Sequence, residues 1–173
     1  PLQGAYAASK HAVKGFTDAL RMELEAEGVP VSVTLVKPGS IDTPFPEHAQ
    51  NLMEKEPTLP PPVYAPEAVA EAILHCAEHP VRDVFVGGGG KALSVMDKYA
   101  PRLADKMMES FFIEGQKMDA PPRHPDDNGL HQASGELKER SGRAAYVSEA
   151  SLYTKASLHP LVTAGLVLGP GVG

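Results

Sequence analysis

An alternation of helical and strand patterns constrains the fold of this chain more than any other feature. Residues 5–27 predict a helix, because apolar side chains recur at helical spacing until Gly28. The β-branched run at residues 31–37 predicts a buried strand. A second helix over residues 66–78 and a second strand over residues 83–87 repeat the order. This order indicates an α/β layer with parallel strands.

The sequence from residue 66 onward predicts further details of the fold. Four apolar side chains are expected on one face of the second helix: Val69, Ala72, Ile73 and Cys76. Helical segments are expected near residues 91–98 and 101–112. The glycine run at residues 87–90 predicts the turn that ends the second strand. It does not match a phosphate-binding loop, since Phe85 and Ala92 stand where that loop needs Gly and Ser or Thr.

Composition excludes several classes of protein. The 173 residues permit one domain of ordinary size, and the net charge of −6 gives no sign of a nucleic-acid partner. The single cysteine, Cys76, rules out an internal disulfide and suits a reducing compartment, so we expect a cytoplasmic protein. Its place in an apolar helical row predicts a buried structural thiol.

Tyr6 and Lys10 form the chain's most distinctive chemical pair. Residues at i and i+4 share one face of a helix, so an ammonium can lie beside the phenol. The positive charge favours the phenolate, which suits acid/base chemistry on a hydroxyl or carbonyl. The same spacing also arises on ordinary surface helices, where a tyrosine packs against a lysine stem. The pair alone leaves both interpretations open.

The surrounding sequence extends the pattern. Residues 4–13 read Gly-Ala-Tyr-Ala-Ala-Ser-Lys-His-Ala-Val, and Pro-Gly-Ser-Ile-Asp-Thr follows the first strand at residues 38–43. With their Tyr-x-x-x-Lys and Pro-Gly-x-x-x-Thr elements in this order, about residues 1–90 resemble the short-chain dehydrogenase/reductase family. The resemblance implies an α/β fold that is the C-terminal portion of a Rossmann-like doubly wound parallel sheet, with an extended polar C-terminal tail.

The resemblance also implies an oxidoreductase that uses NAD or NADP to interconvert a carbonyl and a secondary alcohol. Tyr6 would be the catalytic acid/base, and Lys10 would favour its ionised form and bind the nicotinamide ribose. The cofactor-binding residues so implied are Tyr6, Lys10, Pro38, Gly39, Ile41 and Thr43. Pro38 and Gly39 would shape the turn beside the nicotinamide. Ile41 would offer its backbone to the carboxamide, and Thr43 would offer its hydroxyl to the carboxamide or the pyrophosphate.

The chain also departs from the family. Family members begin with a strand and a glycine-rich phosphate loop, and carry a catalytic serine and asparagine upstream of the tyrosine. None of these precedes Tyr6. We therefore expect residues 1–113 to be the C-terminal part of the domain, from a longer protein or from a gene model with a lost beginning, and expect the fragment alone to be inactive. The choice between NAD and NADP would lie in the missing half.

Residues 40–64 predict a long loop that follows the carboxyl end of a parallel strand, where ligands bind in open α/β sheets. It carries apolar side chains, among them Phe45, Leu52, Met53 and Leu59. We expect it to be a lid over a small-molecule substrate with an apolar part. An ordered surface loop without that role is the alternative.

Residues 114–173 predict a poorly ordered extension with an apolar end. Its polar residues His124, Asp126, Asp127 and His131 lack the spacing of metal ligands, so no metal site is expected. The apolar end at residues 161–173 is shorter than a membrane span. It predicts docking or disorder, with the start of a membrane anchor as the alternative.

Two other functions compete with the reductase. The resemblance suggests a homo-oligomer through the 5–27 helix, so the chain could be a non-catalytic assembly module. Sugar-nucleotide epimerases and dehydratases share the Tyr-x-x-x-Lys pair, although the Pro-Gly-x-x-x-Thr continuation and the short C-terminal region favour the simple reductase.

Overall fold

The computed structural model describes residues 1–130, 133, 135 and 137–168, and confirms the α/β class. The helices are α1 Gly4–Ala26, α2 Phe45–His48, α3 Pro66–Glu78, α4 Gly88–Tyr99, α5 Pro101–Met107, α6 Ile113–Gly115, α7 Leu152–Leu158 and α8 Pro160–Leu168. A π-helical turn, Met108–Phe112, joins α5 to α6. The strands are β1 Leu35–Pro38, β2 Ser40–Ile41, β3 Val63–Tyr64 and β4 Asp83–Val86.

Both strand pairs are parallel. Strand β1 pairs with β4, with Leu35 opposite Asp83 at one end of the ladder. Strand β2 pairs with β3, with Ser40 opposite Val63. Helix α3 connects the two members of the first pair, as the helix–strand alternation predicts. The carboxyl ends of β1 and β4 therefore meet at one edge, where ligands bind in open α/β sheets.

The first strand is shorter than predicted. Residues 31–34 lie outside it, although they belong to the predicted 31–37 run. The register gives the reason: β4 begins at Asp83, which pairs with Leu35, so β4 offers no ladder to the residues before it. The carbonyl of Val33 instead accepts a hydrogen bond from the Arg21 side chain at 3.1 Å. The β-branched run thus predicts the strand but not its start.

Small side chains build the core between α3, β4 and α7. Its buried residues are Ala68, Ala72, Cys76, Val84, Val86 and Leu158. The predicted bounds of the second helix are confirmed at Pro66–Glu78. The four side chains predicted for one face are not equally buried: Ala72 and Cys76 lie in the core, whereas Ile73 is 51% exposed and lines an open cleft. The buried row instead runs through Ala68 at helical spacing.

The glycine run is a turn at its first residue only. Gly87 has φ of +100° and ends β4, whereas the next three glycines open α4. Helix α4 therefore begins before the predicted 91–98 segment, and the predicted 101–112 helix is divided between α5 and the π-helical turn. The predicted 40–64 loop contains β2, α2 and β3.

The described part of the extension is more ordered than expected. Gln116, Ser151 and Thr154 are buried, and α7 contributes Leu158 to the core. Polar composition alone suggested disorder, but Gln116 bonds to Gln3 and Thr154 accepts from the N–H of Gly87, both far away in the chain. The domain boundary after residue 113 stays a prediction. In the described residues, no helix is long and apolar enough to cross a membrane. Residues 169–173 are not described, so the predicted docking of residues 161–173 falls partly outside the described residues.

Candidate active site

Tyr6 and Lys10 lie together on the first turns of α1. The Lys10 Nζ is 5.2 Å from the centre of the Tyr6 ring, as the i, i+4 spacing predicts. The Tyr6 ring also lies near Phe45, whose ring centre is 5.2 Å away at an interplanar angle of 47°. Tyr6 is 43% exposed and lines two cavities on the surface of the chain. The arrangement permits a proton transfer at the phenol with a cation nearby.

A charge cluster fixes α1 against the sheet. Hydrogen bonds from Lys14 and Arg21, followed by the charge of Arg82, lower the pKa of Asp18 to about 2. Arg21 is only 7% exposed, and its guanidinium also donates to the carbonyls of Val33 and Arg82. The cluster joins α1 to the starts of β1 and β4. It thereby holds the helix that carries Tyr6 beside the strand that leads to Pro38.

An open cleft of about 720 Å³ brings five of the six predicted cofactor residues together. These are Tyr6, Pro38, Gly39, Ile41 and Thr43. Lys10 does not line this cleft, but lies beside Tyr6. Residues 38–43 reach the cleft because Gly39 follows the last residue of β1 and donates its N–H to the carbonyl of Val86 at 2.8 Å.

Asp42 anchors the turn that carries Ile41 and Thr43. Its side chain is 2% exposed and accepts a hydrogen bond from the Ser141 hydroxyl. Its N–H donates to the carbonyl of Tyr64 at 2.9 Å. The sequence analysis gave Asp42 no role of its own, and nothing local signals a partner 99 positions away. With Asp42 turned inward, its two neighbours face the cleft.

Tyr6 also lines a second, smaller cavity of about 260 Å³. Most of its wall is apolar and comes from the predicted lid: Phe45, Pro46, Leu52, Met53, Leu59 and Pro60. Tyr6, Gln3 and Gln116 line both this cavity and the cleft. Tyr6 therefore lies at the border of the cleft and the cavity, both of which are lined mainly by apolar surface.

Gln116 is a site residue that sequence reasoning missed. It is 7% exposed, and its Oε1 accepts a hydrogen bond from Gln3 Nε2 at 2.6 Å. Its own Nε2 donates to the carbonyl of Phe112 at 2.9 Å. No local signal marks it, because it lies in the polar extension and reaches Gln3 across 113 positions.

Cys76 and the residues considered as metal ligands add no further site. Burial raises the pKa of the Cys76 thiol, in keeping with the predicted structural role. Among the described residues, no group of three or more His, Cys, Asp or Glu side chains is arranged to hold a metal ion. His131, one of the four residues considered for that role, lies outside the described residues.

Residues 1–54 match the family model described as short chain dehydrogenase. An uncharacterized oxidoreductase of Bacillus subtilis, YxnA, is 41% identical over 169 residues, which are 97% of this chain and 48% of the relative. An uncharacterized oxidoreductase of Escherichia coli K12, YbbO, is 36% identical over 117 residues, covering 63% of this chain and 43% of the relative. A human dehydrogenase/reductase, SDR family member 11, is 33% identical over 81 residues, covering 43% of this chain and 30% of the relative.

The chain therefore spans about half the length of the first two relatives, at 48% and 43%. No solved structure matches it at a significant level.

Proposed function

We propose that this chain, which belongs to the short chain dehydrogenase family of oxidoreductases, forms the catalytic half-site of an enzyme that interconverts a carbonyl and a secondary alcohol with NAD or NADP. One observation carries the proposal. Tyr6 borders both the cleft and the apolar cavity, and the Lys10 Nζ lies 5.2 Å from its ring centre. A proton donor between a cofactor cleft and a substrate cavity is what carbonyl reduction requires.

Tyr6 acts on the substrate oxygen in this proposal. When bound, NADH or NADPH would supply the hydride, and with it two electrons, for the carbonyl carbon. The Tyr6 phenol gives its proton to the carbonyl oxygen, so that a secondary alcohol forms and a phenolate remains. Lys10 stabilises that phenolate through its positive charge. Alcohol oxidation follows the same steps in reverse.

The cleft residues have the chemistry to hold a nicotinamide. Gly39 leaves room beside the strand end, and the Thr43 hydroxyl and the Ile41 backbone can bind a carboxamide. Val69 and Ile73 give the same cleft an apolar wall for a ring face. We assign the nicotinamide end of the cofactor to these residues.

The smaller cavity is proposed as the site of the substrate's apolar part. Tyr6 lines it, and most of its other lining residues lie between positions 45 and 60 of the predicted 40–64 loop, which supports the interpretation of that loop as a lid. Apolar surface buried there would contribute about 25 cal/mol per Å² to binding.

A homo-oligomer through α1 is part of the same proposal. The helix exposes Val13, Phe16 and Met22, with Phe16 at 69% exposure, and pairing with a copy would bury them.

Replacing Tyr6 by phenylalanine tests the proposed function. We expect Tyr6→Phe to lower the rate of carbonyl reduction by about 10²–10⁴, because it removes the transferable proton and keeps the ring. The experiment uses the full-length protein, meaning the longer chain of which we propose these residues are a part. It follows oxidation of NADH and NADPH by absorbance.

Tyr146→Phe is the matched control, since Tyr146 is 78% exposed and is not among the residues lining the two cavities. A wild-type rate of carbonyl reduction in Tyr6→Phe would show that Tyr6 does not supply the proton.

A further inference from the structure

Residues 116–123, here called the strap, run antiparallel along the lid segment that walls the apolar cavity. The Thr58 N–H donates to the carbonyl of Gln116 at 2.9 Å, and the Met118 N–H donates to the carbonyl of Glu56 at 2.8 Å. The Glu56 N–H donates in turn to the carbonyl of Ala120 at 3.1 Å. The lid is thus bonded through its backbone to a segment about 60 positions away in the chain.

Arg123, at the end of the strap, joins two separate parts of the lid. Its Nε lies 2.7 Å from Oε1 of Glu56. Its Nη1 donates to the carbonyl of Glu47 at 2.9 Å, and its Nη2 donates to the carbonyl of Pro46 at 2.7 Å. One rigid guanidinium therefore holds α2 and the stretch around Glu56 at a fixed separation.

The Glu56 carboxylate depends on this arrangement. It is 6% exposed, and an unpaired carboxylate at such a position would be strongly destabilising. Burial raises the pKa of Glu56, but the hydrogen bond and charge of Arg123, with the charge of Arg143, outweigh burial and leave the pKa below its ordinary value. Arg143 Nη1 is 3.5 Å from Glu56 Oε1 and is the second cation in this group. The ionised carboxylate is thus a fixed anchor for the strap.

The anchored residues flank the wall of the apolar cavity. Pro46, whose carbonyl accepts from Arg123, and Thr58, whose N–H donates to the carbonyl of Gln116, both line the cavity. The lining also includes Phe45, Leu52, Met53 and Pro57. Gln116 of the strap is itself part of the wall.

We infer that Arg123 is a positioning residue that fastens the lid, and that the strap thereby sets the enzyme's preference for carbonyl substrates with an apolar part. This inference rests on the proposed function. Loss of Arg123 would release the lid, so binding of the apolar part would weaken more than binding of a small ketone.

The experiment compares Arg123→Ala with wild-type full-length protein by two readouts. Hydrogen exchange of the backbone amides in residues 45–58 reports how firmly Arg123 holds the lid. Reduction of acetone, which lacks an apolar tail, and of benzylacetone, which carries one, reports on preference. We expect lid exchange to rise about tenfold or more, because charge-assisted hydrogen bonds are lost. We also expect the kcat/KM ratio of benzylacetone to acetone to fall about tenfold, mainly through KM.

Arg140→Ala is the matched control. Arg140 is an arginine of the same extension, but it pairs with Glu67 and Glu149, away from the lid. It should leave lid exchange and the substrate ratio at wild-type values. Arg123→Lys keeps a charge but cannot make all three contacts at once. We expect Arg123→Lys to show smaller changes in lid exchange and in the substrate ratio than Arg123→Ala. If Arg123→Ala does not fold, the comparison of Arg123→Lys with wild type takes its place.

Unchanged lid exchange in Arg123→Ala, or in Arg123→Lys if that is the variant that folds, would overturn the inference. So would faster lid exchange with an unchanged substrate ratio. If the wild-type protein reduces neither ketone, the choice of carbonyl substrate in the proposed function is wrong. The exchange data then still decide whether Arg123 fastens the lid.

Discussion

Gly87 shows how a residue outside the cleft can support the candidate site through the strand next to it. It ends β4 with φ of +100°, a conformation that side chains with a Cβ rarely adopt. A Cβ built there would lie 2.7 Å from Cε2 of Tyr64, in β3. The Gly87 N–H also donates to Thr154 Oγ1 at 3.0 Å. Since the Tyr64 carbonyl accepts from the Asp42 N–H, Gly87 gives space to the strand that holds the turn of Ile41 and Thr43.

Gly87→Ala should therefore destabilise the fold. The backbone conformation alone costs a residue with a Cβ about 1–3 kcal/mol, and the Tyr64 ring must also shift. Urea unfolding measures the loss. Gly15→Ala is the control, because nothing lies within 4 Å of a Cβ there and the helix interior should gain about 0.5–1 kcal/mol. Equal stability of Gly87→Ala and wild type would show that the turn tolerates a side chain.

At the scale of elements, the lid and the strap explain why an extension of polar composition is ordered. The strap's own sequence offers neither apolar periodicity nor turn spacing that would predict it. Its backbone hydrogen bonds to Glu56 and Thr58 go to residues of the lid. Arg123 and Glu56 are 67 positions apart, so no local pattern could pair them. By contrast, α1 and α3 were predictable within about a residue, because Gly28 and Pro66 mark their ends locally.

The lid–strap contact should weaken in acid. The pKa of Glu56 lies below its ordinary value in the folded protein, so this carboxylate stabilises the fold above its unfolded pKa. The contribution is lost as pH falls through the lower, folded pKa. We expect the free energy of unfolding to fall more steeply below about pH 4.3 in the wild type than in Glu56→Gln, measured by urea unfolding at each pH.

Asp18, whose pKa is about 2, loses its own contribution in both proteins, so the difference between them isolates Glu56. Parallel pH profiles would mean that Glu56 does not contribute in this way.

At the scale of the whole molecule, the site is assembled from four parts of the chain, of which the first and the last are more than 100 positions apart. Tyr6 comes from α1, Gly39 and Thr43 from the end of β1 and the turn after it, the apolar wall from the lid, and Gln116 from the strap. Motif spacing predicted the first two parts, since the carboxyl end of a parallel strand is where such residues act. It could not predict Gln116 or Ser141, which reach the site through side-chain hydrogen bonds across the chain.

The central claim is that this cleft receives the nicotinamide of NAD or NADP. Titration of the full-length protein with NADH and NADPH, followed by nicotinamide fluorescence, tests it most directly. We predict saturable binding of at least one nucleotide, weakened about threefold to tenfold by Thr43→Val through loss of one hydrogen bond. Thr17→Val is the control, since that hydroxyl donates to the Val13 carbonyl within α1. Absence of saturable binding for both nucleotides would contradict the account.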